Sequence, residues 1–205
     1  MSTLFVNLYA GPGAGKSTGA AYIFSKLKIL GVNAELVTEY AKDLVWEANG
    51  MHPRLGHQEF VFARQKHRCD ILEGKVDVVV TDSPLSLPLF YAKDASDEFK
   101  AYVWSCVRKQ VRRNYLLERI KPYNPKGRLQ NWKEAAVVDV QIRNFLWDND
   151  EAANSICGDD RGYDLIVADI VGKLPNHRRT LSFRPHGYTP FPYFIVPEHK
   201  EGGDA

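Results

Sequence analysis

Short apolar runs alternate along this chain with longer stretches in which apolar residues recur every three or four positions. Residues 4–9 are rich in β-formers and end in glycines, which predicts a buried strand. Residues 17–30 predict a helix with Ala20, Ile23, Leu27 and Leu30 on one stripe, stopped by Gly31. Residues 34–38 predict a second strand, and residues 40–48 and 57–73 predict helices. The run 76–81 is β-branched apart from Asp77, as in a central parallel strand. Residues 97–120 predict one long helix with Val103, Val107, Val111 and Tyr115 along its apolar edge. Pro122, Pro125 and Gly127 make 121–131 a loop. Residues 132–147 predict another helix and 163–168 an apolar strand. From Leu174 onward Pro, His and aromatic residues dominate, with one candidate strand at 193–196. Strands alternating with helices predict an α/β fold with a parallel sheet and helices on both faces. Ligands of such sheets sit at the carboxyl ends of the strands.

The stretch after the first predicted strand carries the clearest chemistry. Residues 11–18 match the pattern G-x-x-x-x-G-K-S/T at Gly15, Lys16 and Ser17, with Ala10 in place of its first glycine. Gly11, Gly13 and Ala14 leave the backbone room to curl, and Thr18 continues into the helix. Such a loop turns backbone N–H groups toward phosphate oxygens, helped by the positive end of the helix. Lys16 is placed to reach the β- and γ-phosphates of ATP, and Ser17 to offer its hydroxyl to Mg2+. A glycine-rich turn before an ordinary helix is the bland alternative; strand, loop and helix in the required order argue against it.

Two acids end predicted strands. Asp82 follows residues 78–81 and is a candidate Mg2+ ligand, with a turn or cap residue as its bland reading. Glu39 follows the second strand and is the preferred general base toward an acceptor hydroxyl. Asp82 competes with it for that role, and Asp43, one helical turn on, is a weaker candidate.

Composition is that of a soluble globular domain: 205 residues, 44% apolar, 25% charged, net charge +2. Disorder as the main state is excluded. Cys69, Cys106 and Cys157 show no C-x-x-C spacing, so reduced thiols are expected. No apolar run is long enough to span a bilayer, and no signal-peptide layout precedes Lys16; a cytoplasmic protein is expected. The net charge conceals an asymmetry. Residues 100–133 hold ten basic residues and one acid, Glu118, giving +9 there and −7 elsewhere. Arg108, Arg112 and Arg119 would share one face of the long helix, and Arg128 would sit at the tip of its loop. Arginines on a mobile lid can neutralise a phosphoryl transition state. The excess charge, interleaved with Trp104, Tyr115, Tyr123 and Trp132, also suits a nucleic-acid backbone. On the expected acceptor side, Phe60 and Phe62 could wall a base or pack in the core. His177, His186 and His199 are too far apart for a local metal motif.

Residues 11–18, the stretch 38–41 with Glu39, and the stretch 81–84 with Asp82 together resemble the small P-loop kinase-like proteins that include the ribosylnicotinamide kinase domain. Residues 117–143 resemble the lid of a subgroup common in tailed bacteriophages. The likeness covers about residues 3–170. It implies a three-layer α/β P-loop NTPase fold with a parallel central sheet and a helical lid. The expected layout is a kinase domain over 1–175, with a basic lid at about 100–147 and an aromatic, proline-rich strap over 176–205. The implied activity is ATP-dependent phosphoryl transfer to a nucleoside-like hydroxyl, with Lys16, Glu39, Asp82, Arg119 and Arg128 as catalytic residues. The favoured acceptor is 5-hydroxymethyluracil in phage DNA, which would place the enzyme in the host cytoplasm. A kinase of free nucleosides or nucleotides, and a non-kinase NTPase switch binding nucleic acid or protein, are the rival readings.

Overall fold

The computed structural model describes residues 2–92, 94–120 and 131–174. Five strands form one sheet: β1 (Leu4–Tyr9), β2 (Ala34–Val37), β3 (Val78–Thr81), β4 (Val111–Glu118) and β5 (Asn154–Cys157). Their spatial order is β2-β3-β1-β4-β5 and every neighbouring pair is parallel. Seven α-helices accompany them among the described residues: α1 (Lys16–Ile29), α2 (Tyr40–Glu47), α3 (Gln58–Asp70), α4 (Leu87–Tyr91), α5 (Asp97–Lys109), α6 (Trp132–Asp148) and α7 (Asp160–Lys173).

The central strand β1 is buried at every position, and its alternation divides the core. Leu4, Val6 and Leu8 pack with Ile23 and Leu27 of α1 and Ile166 and Ile170 of α7. On the other face Phe5 packs with Phe62 of α3 and Val103 and Val107 of α5. Tyr9, also on that face, meets Ile142 and Leu146 of α6. Helices thus cover both faces in three layers, which is why β1 and β3 carry almost no polar side chains. The exception in β1, Asn7, donates to Asn114 Oδ1 at 2.9 Å. Asn114 in turn donates to Glu151 Oε2 at 2.9 Å, and Arg112 grips both Glu151 oxygens at 3.0 and 2.5 Å. This buried chain of partners fastens β1, β4 and the entry to β5.

Two expectations from periodicity are corrected. The single helix over 97–120 is instead α5 followed by β4. Gln110 takes an extended backbone (φ −75°, ψ 132°), and residues 111–116 then pair with β1 in parallel register. Tyr115 and Leu117 face one core while Leu116 faces the other, so the four-residue apolar spacing through Val111 and Tyr115 is coincidental. Arg108, Arg112 and Arg119 therefore share no helix face. A lid beginning near residue 100 is corrected with it, because α5 and β4 are layers of the core. The predicted strand at 163–168 is the body of α7. Its Tyr163, Ile166, Val167, Ile170 and Val171 are buried at helical spacing, and Asp159 caps it by accepting the Gly162 N–H at 2.8 Å. The fifth strand is the short β5, too polar to announce itself. Helix α4 was not anticipated. The loop at 121–130 with Tyr123 and Arg128, the strand at 193–196, the histidines at 177, 186 and 199, and the strap at 176–205 lie outside the described residues.

Candidate nucleotide-binding and phosphoryl-transfer site

The loop after β1 turns through two left-handed glycines, Gly13 (φ 78°) and Gly15 (φ 109°), the second serving as N-cap of α1. Lys16 opens the helix and folds back, donating to Ala10 O at 2.6 Å and Gly11 O at 3.3 Å. Burial pushes the Lys16 pKa down, and the carboxylates of Glu39, Asp82 and Asp139 oppose that. Ala14 is buried, Lys16 half-buried, and Ser17 and Thr18 are exposed. The curled backbone, the helix N-terminus and a lysine held among acids form a cradle suited to a nucleoside triphosphate.

Two elements brace this loop from behind. The Tyr163 hydroxyl of α7 lies 3.1 Å from Gly15 O and 3.0 Å from Gly158 O. A Cβ on Gly158 would stand 2.7 Å from Ala14 O, and one on Gly19 would stand 2.5 Å from the Tyr163 ring. From the front, Asp139 of α6 accepts the Gly11 N–H at 2.6 Å and Arg119 Nε at 2.8 Å. Arg119 Nη2 also donates to Pro12 O at 2.8 Å.

Parallel pairing brings the acids together. Val37 of β2 stands beside Thr81 of β3, so the residues after both strands emerge side by side next to the loop after β1. Asp82, only 2% exposed, accepts the Glu39 N–H through Oδ1 at 3.0 Å. Burial pushes the Glu39 carboxyl above the ordinary carboxylate range; Lys16 opposes and Asp82 adds. Burial likewise raises the Tyr91 hydroxyl, with Glu39 and Asp139 adding. Ser17 and Asp82 supply the hydroxyl and carboxylate oxygens a hard cation such as Mg2+ prefers, so the residues present fit it.

The structure thus gathers Lys16, Glu39, Asp82 and Arg119 around one cleft. It leaves Arg108 exposed at the end of α5, and holds Arg112 on Glu151. Asp43 forms an ion pair with Arg68 at 2.6 Å, which removes it as a base candidate. Phe62 belongs to the core, in edge contact with Phe99 and Tyr102. Phe60 packs edge-on to Tyr40, whose ring lies under Arg64 and Arg68. Asp139, Tyr91, Tyr163 and Gly158 were missed. Asp139 alone left a trace, as the single acid in the apolar run from Ala135 to Val140.

Fold and site together give a three-layer α/β architecture with a glycine-rich loop between its central strand and first helix. Thymidylate kinase from Ehrlichia chaffeensis is similar with a TM-score of 0.55 at 13% identity, covering 83% of this chain and 98% of that one. APS kinase from Mycobacterium tuberculosis follows at 0.45 and 13%, covering 83% and 96%. Shikimate kinase from Acinetobacter baumannii gives 0.44 and 14%, covering 84% and 92%. The first of these carries the likeness, which is one of fold. No protein-family model and no curated protein matches the sequence. No helix among the described residues is long and apolar enough to cross a membrane.

Proposed function

We propose that this protein is an ATP-dependent kinase transferring the γ-phosphoryl group to a hydroxyl of a nucleoside-like acceptor. The observation that carries this reading is the meeting of Glu39 and Asp82 beside Lys16 of the phosphate loop. In the reaction the acceptor oxygen bonds to the γ-phosphorus, the bond to the bridging oxygen breaks, and ADP leaves. Glu39 takes the acceptor proton; its raised pKa brings its basicity nearer neutrality. Lys16 and the loop amides bind the phosphates, Arg119 adds positive charge beside them, and Arg128 is kept as a candidate second arginine from the sequence alone. Ser17 and Asp82 would hold Mg2+, which when bound neutralises phosphate charge. The reading places the enzyme in the cytoplasm.

For the acceptor we favour 5-hydroxymethyluracil within DNA. What supports it is cationic surface in excess of an ATP site: Arg108, Lys109 and Arg113 are exposed and have no carboxylate partner among the described residues. The test is transfer of label from γ-labelled ATP to hydroxymethyluracil DNA, the free mononucleotide and a panel of nucleosides. Label on the DNA is expected, with affinity falling as salt rises. Label on the mononucleotide alone would make this a free-nucleotide kinase, and release of free phosphate with every acceptor would make it an NTPase switch.

A further inference from the structure

Asp139 stands within α6, outside every motif of the site, yet its carboxylate joins three separate elements. Oδ1 accepts the Gly11 N–H at 2.6 Å, the first glycine amide of the phosphate loop. Oδ2 accepts Arg119 Nε at 2.8 Å, just beyond the carboxyl end of β4. Through Nη2 the same arginine reaches Pro12 O at 2.8 Å and Ala135 O at 3.4 Å, so two nitrogens of its guanidinium are fixed. Close approach is built into the sequence: a Cβ at position 11 would lie 2.7 Å from both Ala135 O and Asp139 Oδ1. The pair is shielded, with the Arg119 side chain 10% and the Asp139 side chain 24% exposed. A shielded ion pair on an arginine held at a second nitrogen by backbone carbonyls keeps a geometry that an exposed one would not.

A carboxylate beside a phosphate loop repels the ligand the loop is built to bind. Its presence there calls for a compensating use. Asp139 neutralises Arg119 while the loop is empty and keeps it at the loop rather than free to swing into solvent. We propose that Asp139 is a positioning residue of the nucleotide site, aiming Arg119 at the phosphates and fixing the Gly11 amide in the same stroke. This role rests on reading the loop as a triphosphate site.

Calorimetric titration with magnesium and the non-hydrolysable β,γ-imido analogue of ATP tests it in the wild type, Asp139→Asn, Arg119→Gln and the double variant. Asparagine keeps the size and an acceptor for Gly11, but loses the charge that holds Arg119. Each single variant should weaken binding about tenfold with unchanged stoichiometry, and the double variant should be no weaker than the weaker single one. A purely structural contact would instead lower the stoichiometry at unchanged affinity, and would overturn the role. Multiplying effects in the double variant, or an Asp139→Asn protein that binds as tightly as the wild type, would overturn it too. Arg119→Lys keeps the charge without the second nitrogen donor and should also bind about tenfold more weakly; wild-type affinity there overturns the proposal even if Asp139→Asn fails to fold. A wild type that does not bind the analogue overturns the nucleotide reading itself, whereas additive variants of a binding wild type overturn this role alone.

Discussion

The two halves of the cleft are held in different ways. The phosphate half is a stretch of backbone, and neighbours from α6, α7 and the turn after β5 reach its amides and carbonyls directly. The half proposed to take the acceptor is made of side chains on α2 and α3. Side chains pin its backbone at the Glu39 N–H on Asp82, the Tyr40 N–H on Gln65 and the Thr38 carbonyl, which accepts from Arg68 Nη1. Beyond them it carries exposed groups, Trp46 and Met51 among them. Phosphate is bound by N–H groups that must converge, so small backbone errors are costly and bracing is dense. An acceptor is recognised by side chains, which can vary while the frame stands.

That contrast can be broken most severely at Lys16. Lys16→Ala should lower turnover on the order of a thousandfold or more, by removing the charge on the β- and γ-phosphates. Its melting temperature should not fall, because burial already disfavours the charged amine. Loss of activity through unfolding would contradict the division between the halves.

On the acceptor side, Glu39→Gln should lower kcat by about 10²–10⁴ with little change in affinity for ATP. Wild-type activity should fall as pH drops through the raised Glu39 pKa, and the variant should lack that acid limb. Stability should run the opposite way. A carboxyl whose pKa is raised on folding favours the protonated fold, a contribution present below its unfolded pKa and lost as pH rises through the raised one. Glu39→Gln should therefore melt higher than the wild type at pH 8, the difference shrinking toward pH 4. Thermal melts at both pH values check it.

Gly11→Ala probes the bracing itself. The new methyl would stand 2.7 Å from backbone and carboxylate atoms of α6, so the protein should lose about 1–3 kcal/mol and bind ATP more weakly. The smallest effect is expected at Asp43→Asn, which breaks a half-exposed ion pair with Arg68 on the acceptor side. It should cost about 0.2–1 kcal/mol and leave turnover intact, measured by urea melts and initial rates. A large fall in turnover would return Asp43 to the list of bases and blur the contrast.

Legibility follows the same line. The phosphate loop is contiguous, so Gly13, Gly15, Lys16 and Ser17 could be read in one pass. Glu39 and Asp82 could be read because each ends a strand, and a parallel sheet gathers its strand ends on one side. The bracing residues could not. Asp139 lies 128 positions from the amide it accepts, and Tyr163 lies 148 from the carbonyl it meets.

The chain alone therefore determined the alternation of strands and helices through β3, the phosphate loop and the two acids, all of which depend on neighbouring residues or a single period. Tertiary structure decided the rest. It made residues 111–118 a strand, since β1 and β5 offer partners on both sides and outweigh a four-residue apolar spacing. It made Tyr163 a brace within a helix, because α1 provides a surface that only a 3.6-residue period can fill. Among the described residues it divided the basic segment between exposed positions on α5 and β4, the buried network around Glu151 and the phosphate loop. Charge is additive along a sequence, but its effect depends on what stands within a few ångströms.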